Sequence, residues 1–87
     1  MDREELVRLA GEQALLQKDR SDLASAFNRD KLALQALQND VNSSHVPLTP
    51  QWLQGGIQLL TRLQETSARL RELESQINGL RKLTGLP

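Results

Sequence analysis

The chain contains no cysteine, one histidine and two aromatic residues, Phe27 and Trp52. Each shortage closes off a class of protein. Without cysteine there is neither a disulfide nor a thiolate metal ligand, and one imidazole without a thiol cannot build a zinc site. The lack of cysteine also fits a reducing compartment. Basic and acidic side chains balance at 11 each. The basic ones are dispersed, so the electropositive patch of a nucleic-acid partner is missing. No apolar run is long enough to span a bilayer. The first residues, MDREELVRL, are acidic and have no apolar h-region of a signal peptide. The expectation is a soluble intracellular protein, most simply cytoplasmic, with neither membrane nor nucleic acid as partner. At 87 residues one domain is expected. A domain of that size buries a modest share of its surface and is marginal alone.

What is plentiful is leucine, which occurs 18 times, and its spacing is regular. With Leu6 as position a of a heptad and Leu9 as d, the a series is Leu6, Gln13, Arg20, Phe27, Leu34 and Val41. The d series is Leu9, Leu16, Leu23, Asp30 and Leu37, and the phase holds without a slip. A second block has Gly56, Leu63, Leu70 and Ile77 at a, and Trp52, Leu59, Thr66, Leu73 and Leu80 at d. Sustained apolar a/d spacing with charges elsewhere is a coiled-coil signature. The expected fold class is all-α, two long helices forming an antiparallel helical hairpin or coiled coil, completed by oligomerisation into a helical bundle.

Local signals set the boundaries. Asp2 can cap the first turn, Glu5 stands three residues on, and both complement the positive end of the helix dipole. Helix 1 is expected over about residues 2–41. The turn, 42–49, holds Asn and Ser side chains that compete for backbone groups, and Val46 is pushed out of the α region by Pro47. Thr49 is a good N-cap and Pro50 suits N1, so helix 2 is expected over about 50–84. Gly85 supplies a left-handed residue past its end, and Arg81 and Lys82 suit the negative end of the dipole. Asn78-Gly79 is a turn signal, but Leu80 and Leu83 keep helical spacing beyond it, so a continuous helix is expected.

A hairpin follows from the short connection and the weak charge complementarity of the halves. Residues 2–41 carry six basic and eight acidic side chains, and 50–87 carry five and three. Pivoting about residues 45–46, paired levels sum to about 91, which puts Gly11 near Gly79 and Ala36 near Gly55 and Gly56. Small residues at one level predict close backbone approach. By the same rule Arg20 can reach Glu72 or Glu74, and Asp30 can reach Arg62. Gln13, Arg20, Asp30 and Thr66 are polar at seam positions, where such residues fix register or oligomer state at a cost in stability. The bland alternative is that they lean into solvent and contribute little.

A two-helix seam covers only a and d side chains. Leu15, Leu32, Leu53, Ile57, Leu60 and Leu83 lie off it, and the apolar arc around 52–60 is wide. An apolar stripe broader than one seam implies a second contact. Trp52, Leu53, Ile57, Leu60 and Leu83 are the candidate partner-binding residues; the alternative is that they wrap the chain's own loop.

Chemistry is hard to find. Asp40, Ser43, Ser44 and His45 include the residue types of a hydrolase triad, but a loop between helices offers no oxyanion hole or pocket. Gln54-Gly55-Gly56 lacks the Lys and Ser/Thr of a phosphate loop. Asp19 and Asp22 read as a solvated face. Thr49-Pro50 could be a proline-directed phosphosite, though an N-cap explains it sufficiently. No enzyme, cofactor, metal or small-molecule substrate is expected. The leading expectation is a non-enzymatic structural or adaptor subunit in a homo- or hetero-oligomeric helical assembly. The alternative is a small chaperone or inhibitor masking a partner's apolar surface. The stretch TPQWLQGGIQLLTRLQ, a short Pro-containing turn entering a second Leu/Gln-rich helix, resembles the helical-hairpin co-chaperones of type III secretion needle subunits. The resemblance covers roughly the second half and implies a hairpin that masks a partner; it transfers no functional residue. Small subunits of tethering or kinetochore assemblies look equally similar.

Overall fold

The computed structural model describes residues 2–87 and contains two helices, α1 (Arg3–Asn42) and α2 (Pro50–Thr84). No strand occurs among the described residues. The helices lie side by side in a rod of 64 × 18 × 14 Å. They run in opposite directions: Asp40 meets Trp52 near the turn, and Gln13 meets Thr84 at the open end.

The ends form as their residues dictate. Asp2 is extended and its carboxylate accepts from the Glu5 amide at 2.7 Å, satisfying one of the free donors of the first turn. At the other end Ser43 leaves the helix in an extended conformation, one residue later than the spacing predicts, and its amide donates back to the Asp40 carbonyl. Thr49 caps α2 by accepting from the Trp52 amide at 3.2 Å, with Pro50 in the first turn. Gly85 adopts φ 71°, ψ 9° and donates to the Arg81 carbonyl. That left-handed geometry suits a residue without Cβ. α2 runs unbroken through Gly79.

The seam is unevenly covered. Leu9, Leu59, Leu63, Leu73 and Ile77 are buried, and Leu73 and Ile77 have no exposed surface at all. These two lie toward the open end. Near the turn, the seam residues Leu34, Leu37 and Trp52 are only half-buried, and Val41 is exposed.

The level rule holds near the turn and drifts away from it. Asp30 meets Arg62 and Asp40 meets Trp52, each within one residue of the expected level. Arg20 meets Glu74, three residues further out, and Gln13 meets Thr84, six further. The drift has one sign because side chains lean toward the N-terminus of their own helix. In α1 that direction is the open end and in α2 it is the turn. Side chains that touch therefore belong to Cα atoms offset along the axis in that sense.

The expected glycine contacts do not form. A Cβ built on Gly11, Gly55 or Gly79 would meet nothing within 4 Å, and one on Gly56 would make an ordinary 3.7 Å contact with Leu37. Gly11 and Gly79 stand at matching levels but at the outer heptad positions f and c, so they look outward. Level is not face, and only residues that share both can touch.

Candidate functional site

The four polar seam residues behave differently from one another. Gln13 is buried at 2% exposure and fully engaged. Its amide nitrogen donates to the carbonyls of Leu86 (3.2 Å) and Pro87 (3.4 Å), and its oxygen accepts from the Thr84 hydroxyl at 2.7 Å. Gln17, one turn on, also donates to the Pro87 carbonyl. Two glutamines of α1 thus hold the chain's last residues against the open end. Arg20 donates to both carboxylate oxygens of Glu74 at 3.3 and 3.1 Å. Its other expected partner, Glu72, is taken by Arg69 on the same helix. Asp30 pairs with Arg62 at 3.1 Å. Thr66 is half-buried in the seam. No ion pair joins Asp2, Glu4 or Glu5 to Arg81 or Lys82 among the described residues, although the two groups share an end.

The off-seam apolar residues fall into two separate groups. At the turn end Leu34, Leu37, Gln38, Val41, Trp52, Leu53, Gly56, Ile57 and Leu60 line one shallow depression. Leu53, Ile57 and Leu60 follow i, i+4, i+7 spacing on α2, and each is at least half exposed. Leu48 in the turn is exposed beside them in sequence. Trp52 is half-buried, and its indole N–H donates to the Asp40 carboxylate at 3.2 Å. That bond satisfies the one polar atom of the ring and ties the start of α2 to the end of α1. Trp52 therefore braces the turn as well as bordering the depression.

Leu83 is not part of this face. It lies at the open end in a groove with Leu15, Leu16, Gly79 and Leu80, rimmed by Glu12, Asp19 and Gln76. The two grooves also open on opposite sides of the ribbon. Gln38, Leu53 and Leu60 occupy heptad position e, whereas Glu12, Asp19, Gln76 and Leu83 occupy g. A hydrophobic inventory alone groups Leu83 with Trp52; the geometry separates them by end and by face. Leu32, the remaining outlier, is exposed at position f, the outer side of α1.

The charge distribution of the sequence also marks the turn end. Residues 32–61 contain a single charged side chain, Asp40. The remaining 21 acidic and basic residues all lie outside that stretch. Glutamine, asparagine and serine keep the turn end wet in place of charge. The open-end groove, by contrast, has two carboxylates on its rim.

Among the described residues no group of three or more His, Cys, Asp or Glu could hold a metal ion. No described helix is long and apolar enough to cross a membrane. Ser43 accepts from the His45 backbone amide at 3.3 Å, a local turn contact, and it is the backbone N–H rather than the imidazole that is engaged. Comparison with known proteins adds no further constraint: neither family models, curated proteins nor solved structures gave a match to this chain.

Proposed function

We propose that this chain is a non-enzymatic interaction subunit, a helical hairpin that works by burying its turn-end face against other helices. The observation that carries the reading is the apolar turn end, where Leu53, Ile57 and Leu60 stay exposed on a stretch with a single charged side chain. Burying Leu53, Ile57 and Leu60 together would contribute several kcal/mol, at roughly 1.5–3 kcal/mol for each side chain taken fully out of water. A face with so little charge loses little in desolvation when covered. The setting we envisage is a homo- or hetero-oligomeric helical assembly inside the cell.

The test uses Ile57→Asp and Leu53→Asp, because these side chains are exposed and Trp52 is partly structural. Each variant should keep the far-UV circular dichroism of the parent. Each should also lose the self-association or the bound protein that the tagged parent shows by light scattering after recovery from its native cells. Loss of helicity would mean the residues belong to the chain's own core. Unchanged association in both variants would move the interface elsewhere.

A second reading, a chaperone or inhibitor that masks one partner's apolar helix, is favoured by the open-end groove. Leu15, Leu16, Leu80 and Leu83 would receive an apolar stripe, and Glu12 and Asp19 would favour basic flanks. Leu83→Asp separates the two readings, because it should damage only this one.

A further inference from the structure

We propose that the turn end pairs with the turn end of a second copy of this chain, face to face about a two-fold axis. The two open ends then point away from each other. This rests on the turn-end face being an interface, as proposed above, and adds its occupant. In a two-fold contact the same patch supplies both sides, so the patch must be complementary to itself: a residue i meets residue j of the copy while j meets i, and only residues on the axis meet their own copies. The turn end meets that condition. Its one charge, Asp40, is already bound by Trp52 within the chain. The open-end groove meets it less well, since its only charged members, Glu12 and Asp19, are both acidic and the lining offers no cation to the carboxylates of a copy.

Charge also decides how far the two copies overlap. The turn-end face continues along the rod at seven-residue steps, from Leu60 to Ser67, Glu74 and Arg81 on α2, and from Gln38 to Lys31 and Ala24 on α1. Arg20 and Arg71 line the same side beyond the patch. Hairpins paired face to face over their full length, turn beside turn, would set α1 of one copy against α2 of the other, bringing Arg71 to the level of Arg20 and Lys31 over Leu60. Full antiparallel overlap would put the apolar patch opposite Arg81 instead. Overlap limited to the turn ends avoids both.

The size fits a reversible dimer. The charge-free end, eleven helical residues plus the turn, is about 25 Å long at ~1.5 Å per residue, on a ribbon 18 Å wide. That footprint lies toward the low end of specific interfaces, for which ~800 Å² per partner is usual, about one-eighth of this chain's 6564 Å². A contact of that size is expected to be reversible.

Small-angle scattering with sedimentation on the full chain, from low micromolar to near millimolar, tests this. The expected result is a monomer–dimer equilibrium whose dimer has a maximum dimension of roughly 100 Å, against 64 Å for one hairpin. Ile57→Asp should weaken dimerisation at least tenfold with helicity unchanged, and Leu15→Asp, on the opposite face, should leave it as in the parent. A chain that stays monomeric throughout overturns the self-pairing. So does a dimer no longer than one hairpin, or one that Ile57→Asp does not weaken. If Ile57→Asp unfolds the helices, the surface itself is misassigned; a helical monomer with helical variants defeats only the choice of occupant.

Discussion

Gln13 shows how one polar side chain can matter more than several charged ones. It is buried, and all its hydrogen-bonding capacity is directed at the other end of the chain. Removing a buried partner leaves the groups it served unpaired, at ~1–3 kcal/mol. Gln13→Ala should therefore lower the urea-unfolding free energy by roughly 2 kcal/mol. Arg20→Ala should cost less, about 1 kcal/mol or below, because the Arg20–Glu74 pair is partly exposed and screened by water. Both are polar a positions, and the heptad pattern ranks them alike. Burial separates them, and burial depends on the C-terminal residues folding back, which the repeat does not encode. The outward glycines give the opposite sign. Gly11 and Gly55 occupy helix interiors with free space around a would-be Cβ. Gly11→Ala and Gly55→Ala should each stabilise by up to ~1 kcal/mol, visible as a rise in Tm of several degrees.

At the scale of the element, the two helices were legible almost to the residue, because their ends carry strong local chemistry. Asp2, Thr49-Pro50 and Gly85 each act within four residues of themselves, so no tertiary knowledge is needed. Their effects should be correspondingly local. Thr49→Ala removes the acceptor for the Trp52 amide and should cost ~1 kcal/mol. Gly85→Ala forces a Cβ into φ 71° and should cost roughly 1–2 kcal/mol. Thermal melts followed at 222 nm read both. The pairing between the helices was legible only in part. The expected Arg20–Glu74 and Asp30–Arg62 pairs form, whereas the glycine contacts do not. Reasoning by level ignores both the face a residue occupies and the lean of each side chain along its own helix.

At the scale of the whole molecule, the rod is asymmetric. Toward the open end Leu73, Ile77 and Gln13 are buried and charged residues rim the groove, whereas the turn end holds a half-buried seam with almost no charge. A repeat of leucines describes both ends equally well, so the asymmetry emerges only when charge is mapped along the rod and the apolar residues are assigned to faces. Two hairpins meeting by their uncharged turn ends would bury the surface that a lone hairpin leaves wet.

Trp52 is the only tryptophan and borders that surface, so its fluorescence reports directly on whether the turn end becomes covered. The decisive measurement is acrylamide quenching of Trp52 across a dilution series of the full chain. The account predicts a quenching constant that falls as concentration rises, while Ile57→Asp holds the dilute-limit value at every concentration. Quenching of the parent that is independent of concentration, or identical to that of Ile57→Asp throughout, would contradict it.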